Sequence, residues 1–327
     1  MSTKINIGIL GCANIADRYV IPAINELNAE FNLVGVASRR QEKATQFSNK
    51  FSTIAFFDYD SLLNVSGLHA VYIPLPNQLH SEWIEKAIRK GLHVLVEKSL
   101  ACSYQEVTML NELAKQNQLV LLENFQFRFH SQLAYVQNLV KEGCIGELRC
   151  VRSSFGFPPF LDEENIRYQQ ELGGGALLDA GAYPIKLSQI FLGEKIQVHA
   201  ANLFVDPQKG VDIWGGAYLK QDNGSLFSEI AFGFDHYYQC NLELWGSEGK
   251  IYTNRIFTAS PGFHPIIELE TRLGKETIQL QKDHHFRNML IHFYNLINKK
   301  TETVNEYSQN INQARLITEL RTKADEQ

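Results

Sequence analysis

Over roughly the first 120 residues, short apolar runs alternate with amphipathic helical stretches, the pattern of a parallel sheet covered by helices. Lys4–Ile9 and Leu33–Ala37 read as strands, and Asn14–Asn28 and Gln41–Phe51 as helices. His69–Ile73, His93–Val96 and Leu119–Leu122 are further apolar strands, separated by helices over Ser81–Lys90 and Tyr104–Lys115. Residues 1–123 are therefore expected to form a doubly wound, dinucleotide-binding Rossmann domain.

The rhythm changes after Glu123. A helix over Gln132–Lys141 and a strand over Arg149–Phe155 lead into an irregular segment from Gly156 to Leu172. Gly173-Gly174-Gly175 then breaks the chain before a helix over Ala176–Phe191. Long alternating runs follow at Ile196–Val205, Ile213–Leu219, Leu226–Phe234 and Gln239–Trp245, with a hairpin signal at Asp222-Asn223-Gly224. Helices return over Phe286–Ile297 and from Ile311 to the end. The expectation for 124–327 is an α+β domain with an open, mostly antiparallel sheet, serving substrate binding and oligomerisation.

Composition narrows the class. A chain of 327 residues suits two cores better than one. A net charge of -5 without a basic stripe argues against nucleic acid or an acidic membrane surface. The five cysteines show no CxxC pair and no regular spacing, which argues against a disulfide framework or a thiolate zinc site and fits a reducing compartment. His284-His285 has no partner at zinc spacing and reads as a cap or a solvated pair, so no metal is expected. With neither a leader pattern nor an apolar run of about 20 residues, the chain is expected to be soluble and cytoplasmic.

Four segments carry chemistry. Gly8-Ile-Leu-Gly11-Cys-Ala13-Asn-Ile-Ala16 joins the first strand to the first helix, where small residues let the backbone approach a pyrophosphate. Ala13 and Ala16 stand where glycine is usual, so the fingerprint is imperfect. Ser38-Arg39-Arg40 with Lys43 ends the second strand, where an NAD enzyme places an acid for the ribose 2′-hydroxyl. A hydroxyl and cations there suit a 2′-phosphate, favouring NADP(H) over NAD(H). Glu97-Lys98-Ser99 lies at the C-terminal end of a strand, where doubly wound folds keep their ligands. Asp179 and Tyr183 are spaced i, i+4 after the glycine triplet and share a helix face. A tyrosine beside an ammonium can donate a proton to a carbonyl, although a helix-start Asp and a half-buried Tyr would leave the same trace.

Taken in order, the fingerprint, the ASR segment, YIPLPNQLH, EKS and GGGALLDAGAY resemble the Gfo/Idh/MocA family of two-domain oxidoreductases over nearly the whole chain. The nearest flavour is the branch with glucose–fructose oxidoreductase, dihydrodiol dehydrogenase and nucleotide-sugar ketoreductases. The resemblance implies that Lys98, matching the lysine of an EKP motif, lies beside the substrate hydroxyl, with Asp179 and Tyr183 completing the catalytic set. It implies pyrophosphate contacts at Gly11, Ala13, Asn14 and Ile15, and 2′-phosphate contacts at Ser38, Arg39 and Lys43 with Tyr59 stacking nearby. Pro76, Asn77 and His80 belong to the loop over the nicotinamide ribose, and Glu97, Lys98, Asn124, Gln126 and Arg167 are expected at the cofactor as well. Tyr168, with Lys98, Asp179 and Tyr183, is expected at the substrate, and Arg128, Arg152 and Arg167 offer fork donors for hydroxyls or a diphosphate.

Three positions depart from the family pattern. Ser99 replaces the motif proline, Tyr183 stands where many inositol dehydrogenases have His, and Ile166 stands where glucose–fructose oxidoreductase has Trp. The expected reaction is hydride transfer at a secondary alcohol or ketone carbon of a sugar-like, nucleotide-linked substrate, in a dimer or tetramer formed through the C-terminal sheet. The alternatives are a dihydrodiol-type dehydrogenase, with Phe155, Phe157 and Phe160 as an apolar wall, and a non-catalytic NADP-binding sensor.

Overall fold

The computed structural model describes residues 3–299 and 301–326. Its chain divides into two units, one of residues 1–124 with 286–311, the other of residues 125–285 with 312–327.

The first unit is built on six parallel strands: β1 (Ile5–Leu10), β2 (Phe31–Ala37), β3 (Ile54–Phe56), β4 (Ala70–Ile73), β5 (His93–Glu97) and β6 (Leu121–Asn124), in the order β3-β2-β1-β4-β5-β6. All residues of β4 and all but one of β1 are buried, as expected of inner strands covered on both faces. Helices α1 (Ile21–Glu26), α2 (Gln41–Phe51), α3 (Tyr59–Leu63), α4 (Asn77–Arg89) and α5 (Tyr104–Gln116) connect them. Ser103 and Glu106 form a reciprocal capping box that starts α5.

The sequence reading placed all of 124–327 in the C-terminal domain, whereas 286–311 belong with the first unit. Polar ties explain it. Asn310 Nδ2 donates to Asn111 Oδ1 and to the Leu121 carbonyl, both at 3.1 Å. Tyr307 Oη donates to the Leu119 carbonyl at 2.5 Å. These residues belong to α9 (Val304–Asp325), which follows α8 (His285–Ile297). The rings of Phe31 and Tyr294 meet at 5.8 Å.

The second unit carries an eight-stranded sheet: β7 (Leu148–Gly156), β8 (Ile196–Val205), β9 (Asp212–Gln221), β10 (Phe227–Gly233), β11 (Gln239–Gly246), β12 (Gly249–Asn254), β13 (Ile266–Thr271) and β14 (Gly274–Gln279), in the order β14-β13-β12-β11-β7-β10-β9-β8. It is antiparallel except for the β7–β10 pair. Asn223, at a φ of 55°, turns the chain between β9 and β10. α6 (Ser131–Lys141) precedes the sheet, and α7 (Ala182–Leu192) packs against β7, β9 and β10. Along β7, Val151, Ser153 and Phe155 are buried while Arg152 is not.

Several histidines are held neutral. His93 Nδ1 accepts the Val120 N–H at 3.0 Å, and burial pushes its pKa down to about 4. His285, read from sequence as a cap or solvated residue, is buried edge-on to His130 at 5.7 Å, and burial lowers its pKa to about 3. Between the unfolded value of about 6.5 and these folded values, the unfolded chain binds more protons. Stability is therefore full above pH 6.5 and falls as pH drops toward 4. A urea midpoint at pH 5 equal to that at pH 7.5 would contradict this.

Candidate active site

In the first unit the winding reverses between β1 and β4, so the loops after these strands open onto a crevice at the sheet's C-terminal edge. Gly11 has a φ of +124°, and a Cβ there would meet Leu75 at 2.8 Å, so only glycine fits. Its N–H donates to the Ala37 carbonyl at 2.9 Å. Ala13 and Ile15 are half-buried and Asn14 is exposed where the helical chain begins. That chain passes through a π turn (Ala16–Val20) into α1.

Just after β2, Ser38 is buried and its Oγ accepts the Arg40 N–H at 3.1 Å. Burial pushes the Tyr59 phenol pKa up against the pull of the nearby Arg39 charge. The Tyr59 ring is itself buried edge-on to Trp83 at 4.8 Å. Cys12, inside the fingerprint, lies near this corner; burial raises its pKa to about 11 against the pull of Lys43, so it is a neutral thiol. No carboxylate occupies Ser38-Arg39-Arg40.

Lys98 is half-buried in the loop after β5, and its peptide bond to Ser99 is cis. Neighbouring groups fix the backbone on both sides of it. Glu97 Oε1 accepts from Tyr72 Oη at 2.5 Å and from Asn124 Nδ2 at 2.6 Å. The Leu100 N–H donates to Glu123 Oε1 at 2.8 Å. His80 is fully buried, with Nε2 2.7 Å from the Leu75 carbonyl and Nδ1 2.8 Å from the Ser99 carbonyl. Both ring nitrogens therefore face backbone. Pro76 and Asn77 stand where that loop enters α4.

The second unit explains the glycine triplet. Gly173 ends a 3₁₀ turn in the left-handed region, at a φ of 72°. A Cβ on Gly174 would lie 2.6 Å from the Arg167 carbonyl, and one on Gly175 2.5 Å from Asp212 Oδ1. The Gly175 N–H donates to that same Arg167 carbonyl at 2.9 Å. Asp212 Oδ2, at the start of β9, accepts the Leu177 N–H at 2.5 Å and caps the π turn (Leu177–Gly181) that bears Asp179. The triplet thus docks the Ile166–Tyr168 turn on the helix start. As a result Arg167 Nε donates to Asp179 Oδ2 at 2.7 Å, and the Asp179 charge raises the guanidinium pKa.

Tyr183 begins α7 inside a box of phenylalanines, with ring centroids 5.7 Å from Phe125, 5.9 Å from Phe127, 5.0 Å from Phe155 and 5.5 Å from Phe257. Lys186, one turn on, is buried with Nζ 5.1 Å from the Phe125 ring centre. Tyr168 is buried, and its hydroxyl accepts the Phe160 N–H at 3.1 Å, so it anchors the irregular segment. Phe157, Phe160 and Phe234 pack on one another at 5.3 to 5.5 Å. Arg152 pairs with Glu229 at 2.8 Å and lies over Trp245, on the sheet face opposite Val151 and Phe155. Strand alternation therefore removes it from the fork donors beside α7. Arg128 lies over the Phe129 ring at 5.2 Å.

Residues 5–125 match the family model described as the oxidoreductase family with an NAD-binding Rossmann fold, and residues 133–252 match the GFO/IDH/MocA C-terminal domain. The chain belongs to the Gfo/Idh/MocA oxidoreductases. A dTDP-3,4-didehydro-2,6-dideoxy-alpha-D-glucose 3-reductase of Actinomadura kijaniata is 36% identical over 324 residues, 99% of this chain and 96% of that protein. The crystal structure of a 3-ketoreductase from Actinomadura kijaniata in complex with NADP and TDP-benzene superposes with a TM-score of 0.94 at 34% identity, covering 98% of each chain. A trans-1,2-dihydrobenzene-1,2-diol dehydrogenase of Xenopus laevis is 30% identical over 63% of this chain and 62% of its own.

The nicotinamide dinucleotide of this family fits the residues present. Asn124 Oδ1 and Gln126 Oε1 are among the buried acceptors of the described residues without a hydrogen-bond partner, and a carboxamide N–H₂ is a donor of the kind they lack. The Gln126 amide nitrogen is already used, donating to the Phe257 carbonyl at 3.2 Å.

Proposed function

We propose that this chain is an NADPH-dependent reductase of a nucleotide-linked keto-sugar. The observation that carries the reading is the end-to-end likeness to a 3-ketoreductase in complex with NADP and TDP-benzene. Gly11, Ala13, Asn14 and Ile15 receive the pyrophosphate, Pro76 and Asn77 the ribose, and Asn124 and Gln126 the carboxamide. Ser38, Arg39 and Lys43 take the 2′-phosphate. When bound, the nicotinamide supplies the hydride for the carbonyl carbon. Tyr183 gives its phenolic proton to the carbonyl oxygen, so ketone and proton leave as the secondary alcohol and solvent restores the phenol. Lys98 polarises that oxygen and stabilises the charge that develops on it. Asp179 acts by fixing Arg167, whose guanidinium offers donors to the substrate.

Steady-state kcat/KM for a nucleotide-linked 3-keto-sugar, against the free sugar and an aromatic dihydrodiol, tests the reading. A faster diol would favour the dihydrodiol class, and no turnover with any carbonyl would favour a sensor. Cofactor choice gives a second expected result. Charge-assisted hydrogen bonds of about 1.5–3 kcal/mol mean that Arg39→Ala weakens NADPH roughly 10- to 100-fold and leaves NADH nearly unchanged. Equal loss of both dinucleotides would make Arg39 a structural residue. The outer face of the C-terminal sheet, where Trp245, Tyr252 and Ile266 are exposed, is our candidate for a homo-oligomer contact, to be checked by light scattering.

A further inference from the structure

The loops after β4 and β5 carry different parts of the proposed machinery, Pro76 and Asn77 on one and Lys98 on the other. The two strands are neighbours in the sheet. His80 lies between these loops, fully buried in the first turns of α4, with one ring nitrogen against the Leu75 carbonyl and the other against the Ser99 carbonyl. Ser99 is the residue after Lys98, and the Leu100 N–H beyond it is held by buried Glu123. On the other side, Glu97 is held by Tyr72 and Asn124. The backbone that launches the Lys98 side chain is thereby held before and after, and His80 also contacts the neighbouring loop at the Leu75 carbonyl.

We propose that His80 is a positioning residue for Lys98: a buried crossbar that sets the spacing of the cofactor loop and the lysine loop and acts on turnover through Lys98. The inference rests on the reading of Lys98 as catalytic. The imidazole has one ring nitrogen at hydrogen-bond distance from each of two backbone carbonyl oxygens, one in each loop. Each ring nitrogen that carries a proton donates to the carbonyl it faces, so the rigid ring ties the two loops. Lysine has four rotatable side-chain bonds, so the place from which it starts decides where its ammonium spends its time. A displacement of about 1 Å in a reacting group can cost on the order of 10²-fold in rate.

A double-mutant cycle tests this: wild type, Lys98→Met, His80→Ala and the double variant, each measured for kcat, KM for NADPH and thermal midpoint. Expected is a kcat lowered roughly 10- to 100-fold by His80→Ala, with KM for NADPH changed less than about threefold. Adding His80→Ala to Lys98→Met should cost little more, because the group being aimed is already gone. Added imidazole should restore part of the kcat of His80→Ala and none of the double variant. Should His80→Ala not fold, His80→Gln, whose amide can donate to these carbonyls, carries the same cycle. Independent, multiplying losses would overturn the proposal, as would a raised KM for NADPH at unchanged kcat, which would return His80 to the cofactor. Normal turnover by Lys98→Met alone would instead sink the catalytic reading beneath it, and that single variant tells the two failures apart.

Discussion

Lys98→Met is expected to lower kcat by roughly 10²–10⁴, the usual share of a group that polarises the reacting oxygen and helps move its proton. Binding of NADPH, read by fluorescence quenching, should stay within a few-fold of wild type. Methionine keeps the length and bulk of the side chain and removes only the ammonium. The loop around it is also held by the Glu97 contacts with Tyr72 and Asn124 and the Glu123 contact with Leu100. The loss should therefore appear in kcat and kcat/KM alike, as for an interaction made chiefly in the transition state. A rise in KM for the keto-sugar at unchanged kcat would reduce Lys98 to a binding residue.

Tyr183→Phe should cost a similar factor for a different reason. The ring is held by Phe125, Phe127, Phe155 and Phe257, so phenylalanine keeps the packing and deletes a single hydroxyl. Thermal stability is expected to change little, because the aromatic contacts remain. On the proposed reading the phenol gives up the proton, so wild-type kcat should fall at high pH, and the fall should vanish in the variant. A Tyr183→Phe enzyme with wild-type turnover and the same high-pH limb would hand the proton to Lys98 alone. The limb is assigned by comparing the two single variants.

Local periodicity carries far. The apolar runs of β1 and β4 and the repeats of α2, α4 and α5 need only nearest neighbours along the chain to be read. Gly11 and the glycine triplet were legible because a residue without a side chain marks a backbone constraint, though not its cause. Weaker strands escaped. β14 has almost no buried residue and β3 has three residues in all, so neither shows the alternation that betrays a half-buried strand. Family resemblance supplied site positions that periodicity could not, yet it did not say what each side chain does there.

The amino-acid sequence by itself determined the class of each half and the missing acid at the end of β2, and it marked the EKS and GGG segments as candidates for chemistry. Each is a local property, set by residue type and spacing. Tertiary structure alone decided which polar groups are already spent. It gives His80 to the Leu75 and Ser99 carbonyls, Tyr168 to Phe160, and Arg152 to Glu229 on the far face of its sheet. It also returns 286–311 to the first unit through Asn310 and Tyr307. The physical reason is the same in each case: a buried donor or acceptor must find a partner, and that partner is chosen by proximity in space, across separations of 5 to nearly 200 residues that no local pattern records.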